Sequence, residues 1–226
     1  PGRPIMETYL WISSPTPYVS FLRPIPFYTL FAVLVALSGL SAGASRAQQT
    51  LRLDPDRSIA QYVFDSWQVD DGLPQSSVTA IAQTPDGFLW LATDEGLVRF
   101  DGVAFQTFDK STEEAFLIND VVAMTVGQDG VLWIGARGGG LLRYDGAFTR
   151  FDDTNGLTSN YVTALYEDPA GVLWIGTYGG GLLAFEDGQF RGYTADDGLP
   201  GEFISTIAQD ARGTLIVGTE TGIVRL

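Results

Sequence analysis

The chain has 226 residues, 45% hydrophobic and 18% charged, a globular composition long enough to bury a sizeable core. With 13 Lys and Arg against 27 Asp and Glu it is acidic, which excludes general attraction to nucleic acid or an anionic membrane surface. It has no Cys and no His, so disulfides, thiol nucleophiles, imidazole bases and the usual zinc sites are excluded; no EF-hand-like spacing is present either, and no metal or cofactor is expected.

The front of the chain reads as an export signal. Pro24 to Ser45 is a run of 22 residues without a charge, with Phe27 to Leu40 as its apolar heart and Arg23 just ahead. Ser45-Arg46-Ala47 sets small side chains at the −3 and −1 positions of a cleavage site before Gln48. A positive residue, an apolar helix and a small-residue exit make a secretory signal peptide. An uncleaved signal anchor stays open beside it, because 22 uncharged residues at about 1.5 Å each just cross a bilayer. Met6 reads as a start, which makes residues 1–5 a cut or mistranslated beginning. Residues 1–47 are thus signal peptide or anchor, and 48–66 a lead-in segment. Three basic residues and one acidic residue precede Gln48, so the remainder carries 10 against 26, a formal net charge of −16.

From residue 67 one unit recurs four times. Its core is Asp86-Gly-Phe-Leu-Trp-Leu-Ala-Thr93, then Asp129-Gly-Val-Leu-Trp-Ile-Gly-Ala136, Ala170-Gly-Val-Leu-Trp-Ile-Gly-Thr177 and Arg212-Gly-Thr-Leu-Ile-Val-Gly-Thr219. Trp90, Trp133, Trp174 and Ile216 mark the repeat at intervals of 43, 41 and 42 residues. A β-rich run precedes each core: Val78–Gln83, Val121–Val126, Tyr161–Tyr166 and Phe203–Ala208. Gly-Leu-Val-Arg-Phe100 and its counterparts follow, then an Asp-Gly turn in the first three copies and a short last strand such as Ala104–Phe108. Asp-Gly and Gly-Gly favour the positive backbone angles of two-residue hairpin loops, and Val, Ile, Phe, Tyr and Trp suit pleated sheet. Four short strands at this period predict an all-β fold, a β-propeller with blades of four antiparallel strands. The blades span about 67–110, 111–152, 153–195 and 196–226, the last incomplete. The chain is therefore expected to be a fragment of a larger propeller, of seven blades, behind its N-terminal helix. The repeated Trp positions are expected in the core between blades.

The joined pattern Gly-Leu-Pro…Val-Thr-Ala-Ile…Gly-x-Leu-Trp-Ile-Gly-Thr-x-x-Gly-Gly-Leu resembles the two-component regulator propeller repeat, across residues 67–226. Asn155-Gly-Leu-Thr-Ser-Asn-Tyr-Val162 and Asp197-Gly-Leu-Pro-Gly-Glu-Phe-Ile204 match its linker, whereas Thr112-Glu-Glu-Ala-Phe-Leu-Ile-Asn119 lacks Gly-Leu-Pro. The resemblance implies a periplasmic ligand-sensing domain, exported by its N-terminal signal. Further blades, a β-sandwich, a membrane span and an output module of the histidine kinase or diguanylate cyclase kind would follow, in a homodimer. It also implies a small-molecule or oligosaccharide ligand. No phosphoacceptor His, nucleotide-binding motif or cyclase signature is present, so no kinase or cyclase activity is expected of these residues.

In a propeller the turn between strands two and three shares a face with the linker into each blade. That face would gather Asp94 and Glu95, Arg137, Tyr178 and Glu220, with linker residues such as Leu117 and Ile118. Equivalent positions differ from blade to blade, as a recognition surface can and a repeat core does not, and an Arg fork beside an aromatic plane suits an anionic or sugar-like ligand. Solvent-facing turn residues are the plainer reading. The three-glycine runs at 138–140 and 179–181 read as hairpins, with no Walker lysine beside them. Two alternatives to a sensor stay open: an exported scaffold that binds protein or carbohydrate, and an enzyme acting on polysaccharide, which would need paired carboxylates.

Overall fold

The structure, a computed structural model, describes residues 65–226; the expected signal or anchor helix and the lead-in up to residue 64 lie outside the described residues. Fifteen strands in four antiparallel sheets make up these residues. The first blade holds β1 (Val78–Gln83), β2 (Leu89–Thr93), β3 (Gly96–Phe100) and β4 (Phe105–Phe108); the second β5 (Val121–Val126), β6 (Leu132–Ala136), β7 (Gly140–Tyr144) and β8 (Phe148–Phe151). The third holds β9 (Val162–Glu167), β10 (Leu173–Thr177), β11 (Leu182–Glu186) and β12 (Gln189–Tyr193), and the fourth β13 (Ile204–Gln209), β14 (Leu215–Thr219) and β15 (Gly222–Arg225). Each sheet is a meander in sequence order, and the first strands β1, β5, β9 and β13 touch one another in turn, which makes them the inner strands. This is the propeller expected from the repeat.

Burial follows strand position. The second strand of a middle blade is enclosed by neighbours on both faces, and all five residues of β6 are buried, which suits the continuous apolar run Leu-Trp-Ile-Gly; β2 and β14, each with one neighbouring blade among the described residues, are only partly buried. Three clusters fill the seams between blades. Trp90, Leu97 and Phe108 of the first blade meet Val121, Leu132 and Ile134 of the second; Trp133 and Leu141 meet Val162, Leu173 and Ile175; Leu182 meets Ile204, Leu215 and Val217. A fully buried side chain of this size contributes about 1.5–3 kcal/mol, so the seams are the main source of cohesion. Trp90 is wholly buried and Trp133 6% exposed, while Trp174 and Ile216 are partly buried. The indole of Trp90 donates to Thr84 Oγ1 at 3.0 Å and that of Trp174 to Asp168 Oδ2 at 3.0 Å.

Each linker buries one apolar residue five places before its blade's first strand residue: Leu73 before the first blade, and Leu157 and Leu199 within the seams ahead of the third and fourth. In the divergent second linker the same place belongs to Phe116, 3% exposed and packed against Phe148. Two expectations change in detail. Tyr161 and Phe203 do not begin strands; they form isolated bridges with Arg137 and Tyr178 of the preceding blade. Among the Asp-Gly turns only Asp187-Gly188 has both residues at positive φ, 50° and 78°. At Asp101-Gly102 the carboxylate instead accepts the N–H groups of Val103 and Ala104, at 2.8 and 2.7 Å, and forms a longer loop.

Candidate functional site on the linker face

Meander topology sends the turns between strands two and three to the same end of every blade as the linkers. A shared irregularity shapes that end. Each inner strand carries a one-residue bulge near its start, so that Thr79, Val122, Thr163 and Ser205 stand outside the ladder with their second strands. A bulge bends the strand and re-aims the extra side chain. All four extra residues line one cavity of about 530 Å³. Two of them also staple blades together: Thr79 Oγ1 donates to the Val121 carbonyl at 2.8 Å, and Thr163 Oγ1 to the Ile204 carbonyl at 2.5 Å.

Three of the five residues singled out from the sequence, Arg137, Tyr178 and Glu220, line this cavity. Asp94 and Glu95 occupy the corresponding turn of the first blade but are not among its lining; their N–H groups donate to Gln75 Oε1 and Thr93 Oγ1, both at 3.2 Å. Arg137 Nη1 lies 3.2 Å from Asp120 Oδ2, and its side chain stays 56% exposed, leaving most of its donor fork free. Tyr178 is 58% exposed and stacks on Phe203 with centroids 4.1 Å apart and planes 2° from parallel. Glu220 Oε2 accepts the Phe203 N–H at 3.0 Å, which fixes that carboxylate beside the aromatic pair.

Sequence reasoning missed Phe203, Thr79, Thr163 and Ser205. Phe203 had a signal, because the residue just before each inner strand varies as Ser77, Asp120, Tyr161 and Phe203. The bulged residues had none, since a bulge is a register event between strands. The lining thus joins an aromatic slab, a guanidinium, hydroxyls and a single carboxylate, which is binding chemistry; the carboxylate pair needed for glycoside hydrolysis is not among these lining residues. The turn carboxylates at the other end of the blades serve the backbone, as Asp129 Oδ1 does for the Val131 N–H at 3.0 Å.

Residues 72–95, 156–179 and 198–221 match the two component regulator propeller family. Three of the four blades thus carry a stretch similar to the repeat of that family. Each match runs from the linker glycine to the turn after the second strand, so the repeat unit is the stretch that builds the linker face. The second blade, with Phe116 in place of Gly-Leu, falls outside the matches. Among solved structures, the extracellular domain of a hybrid two component system from B. thetaiotaomicron is similar at a TM-score of 0.56 and 24% identity, over 66% of this chain and 23% of that one. The extracellular domain of a one component system from the same organism gives 0.54 and 25% over the same shares. The WD40 propeller of Doa1 gives 0.50 at 15% identity, over 66% of this chain and 50% of that one, a likeness of fold. "Histidine kinase P4" of Formosa agariphila is 40% identical over 60 residues, 26% of this chain and 4% of that protein. The chain therefore spans about a quarter of the two B. thetaiotaomicron domains and a small part of the curated relative.

Proposed function

We propose that this propeller is the extracytoplasmic ligand-sensing part of a membrane signal-transduction protein, a two-component sensor kinase or a diguanylate cyclase. The observation that carries the reading is the linker face: a bulge repeated in four blades aims one side chain from each into a cavity whose rim is variable and partly aromatic. The match to two component regulator propeller repeats and the likeness to the extracellular domain of a one component system support the signalling role and the location outside the cytoplasm. The ligand is a small molecule or oligosaccharide: one sugar face lies on the exposed ring of Tyr178, and its hydroxyls reach Arg137 and Glu220. The rest of the same polypeptide supplies the output. Alkaline phosphatase fused after Leu226 tests the location. It is expected to be active, since the enzyme matures only outside the cytoplasm, and removal of residues 1–47 is expected to silence it. An inactive fusion to the intact chain would contradict the reading.

A further inference from the structure

At the end of the blades opposite the linkers, a groove of about 380 Å³ runs between the second and third blades. Its floor holds Trp133 and Phe185, with ring centroids 5.4 Å apart at 70°. Asp129, Glu167 and Asp187 stand along it, none in an ion pair among the described residues, while Arg143 is neutralised by Asp145 at 2.5 Å.

The decisive feature is the indole N–H of Trp133. In the first and third blades the equivalent N–H is satisfied by Thr84 or Asp168, six residues upstream. In the second blade that place is Gly127, which has no side chain to accept it. The vacated space is taken by the Glu167 carboxylate, which lies against Gly127 and accepts the Gln128 N–H at 2.7 Å. Trp133, though only 6% exposed, has no acceptor among the described residues. The fully enclosed unpaired side-chain atom among the described residues is Asp120 Oδ1, at the linker end, so the Trp133 nitrogen is not sealed off and opens to the groove that the residue lines. An N–H open to a groove in this way bonds water until a ligand oxygen takes the water's place.

We propose that this groove binds an alkylammonium group that carries a carbonyl or hydroxyl oxygen a few bonds away. The ammonium is held by Asp129, Glu167 and Asp187, the oxygen accepts from Trp133 Nε1, and the hydrocarbon between them lies on Trp133 and Phe185. The site is separate from the linker face and independent of the function proposed above.

Titration of the ¹⁵N-labelled chain with lysine amide tests this through the indole N–H resonances, a Trp133→Phe variant assigning the signal. The Trp133 signal is expected to move and saturate, while those of Trp90 and Trp174, bonded internally, stay in place. Butylamine, which lacks the oxygen, is expected to bind about tenfold more weakly. Gly127→Thr restores the acceptor found in the first blade and displaces Glu167; it is expected to abolish the saturable shift. The milder Glu167→Gln, which leaves Gly127 uncrowded, is expected to weaken binding about tenfold. A peptide with one internal Lys separates the sources, equal binding marking a protein side chain and its loss a free amine. A Trp133 signal that does not saturate with lysine amide, or a shift unaltered in both variants, would overturn the proposal.

Discussion

At Thr163 one hydroxyl joins two blades, through its bond to the Ile204 carbonyl. Val122 holds the equivalent place in the second blade, so a valine fits this position without new strain. Thr163→Val is therefore expected to cost about 1–2 kcal/mol, read as a lower urea midpoint at unchanged slope. A second residue-scale expectation concerns pH. Asp101, Asp109, Asp152 and Asp210 all have carboxyls held below their ordinary value of 3.8. The causes are hydrogen bonds within turns: from the Ala104 and Val103 N–H groups, from Ser111, from Thr154, and from the Thr214 and Arg212 N–H groups. A depressed folded value gives stability that is complete above the ordinary value and is lost as pH falls through the lowered ones. Urea midpoints in about 1 M salt, where self-repulsion of the acidic chain is screened, are expected to stay level down to about pH 5 and fall below about pH 4. The candidate residues were legible to the extent that position alone decides exposure. Arg137 and Tyr178 stood out because equivalent turns differ, but Asp94 and Glu95 obeyed the same rule and sit apart from the cavity, since side-chain convergence is a property of packing.

The elements were the most legible level, because each has a local cause. Glycines at the turns illustrate two kinds of constraint. Gly96 has a φ of 135°, and a Cβ there would lie 2.8 Å from the Phe108 carbonyl oxygen, whereas Gly102, at 97°, has nothing within 4 Å. Gly102→Ala is expected to cost about 1 kcal/mol from backbone strain alone, and Gly96→Ala measurably more, in parallel denaturation curves. The second strands were visible as apolar runs, and in the middle blades both their faces are covered. Tyr161 and Phe203 looked like strand residues by composition, and they do pair, but with the previous blade's turn. The second linker lost its motif yet kept its function. Phe116 supplies the buried wedge at the same five-residue offset, so spacing was the informative signal and residue identity was not.

Across the described blades, cohesion lies in seams where each blade lends half of a cluster, and the proposed recognition surface is what those seams leave exposed at the linker end. Both follow from one repeat whose interior is uniform and whose turns vary. Blade architecture was readable from period and turn chemistry; the cavity was not, because it depends on four bulges and on aromatic rings meeting across a blade boundary. The claim that this end senses a ligand is tested most directly by thermal unfolding of the chain across a panel of oligosaccharides, with Tyr178→Ala and Arg137→Ala beside the wild type. A ligand at 100 times its Kd contributes about 2.7 kcal/mol, which for a domain of this size raises Tm by about 5–10 °C. The expected result is such a rise for at least one sugar class, lost in both variants while their unliganded Tm stays near that of the wild type. A rise that survives both substitutions, or none across the panel, would contradict sugar sensing at the linker face.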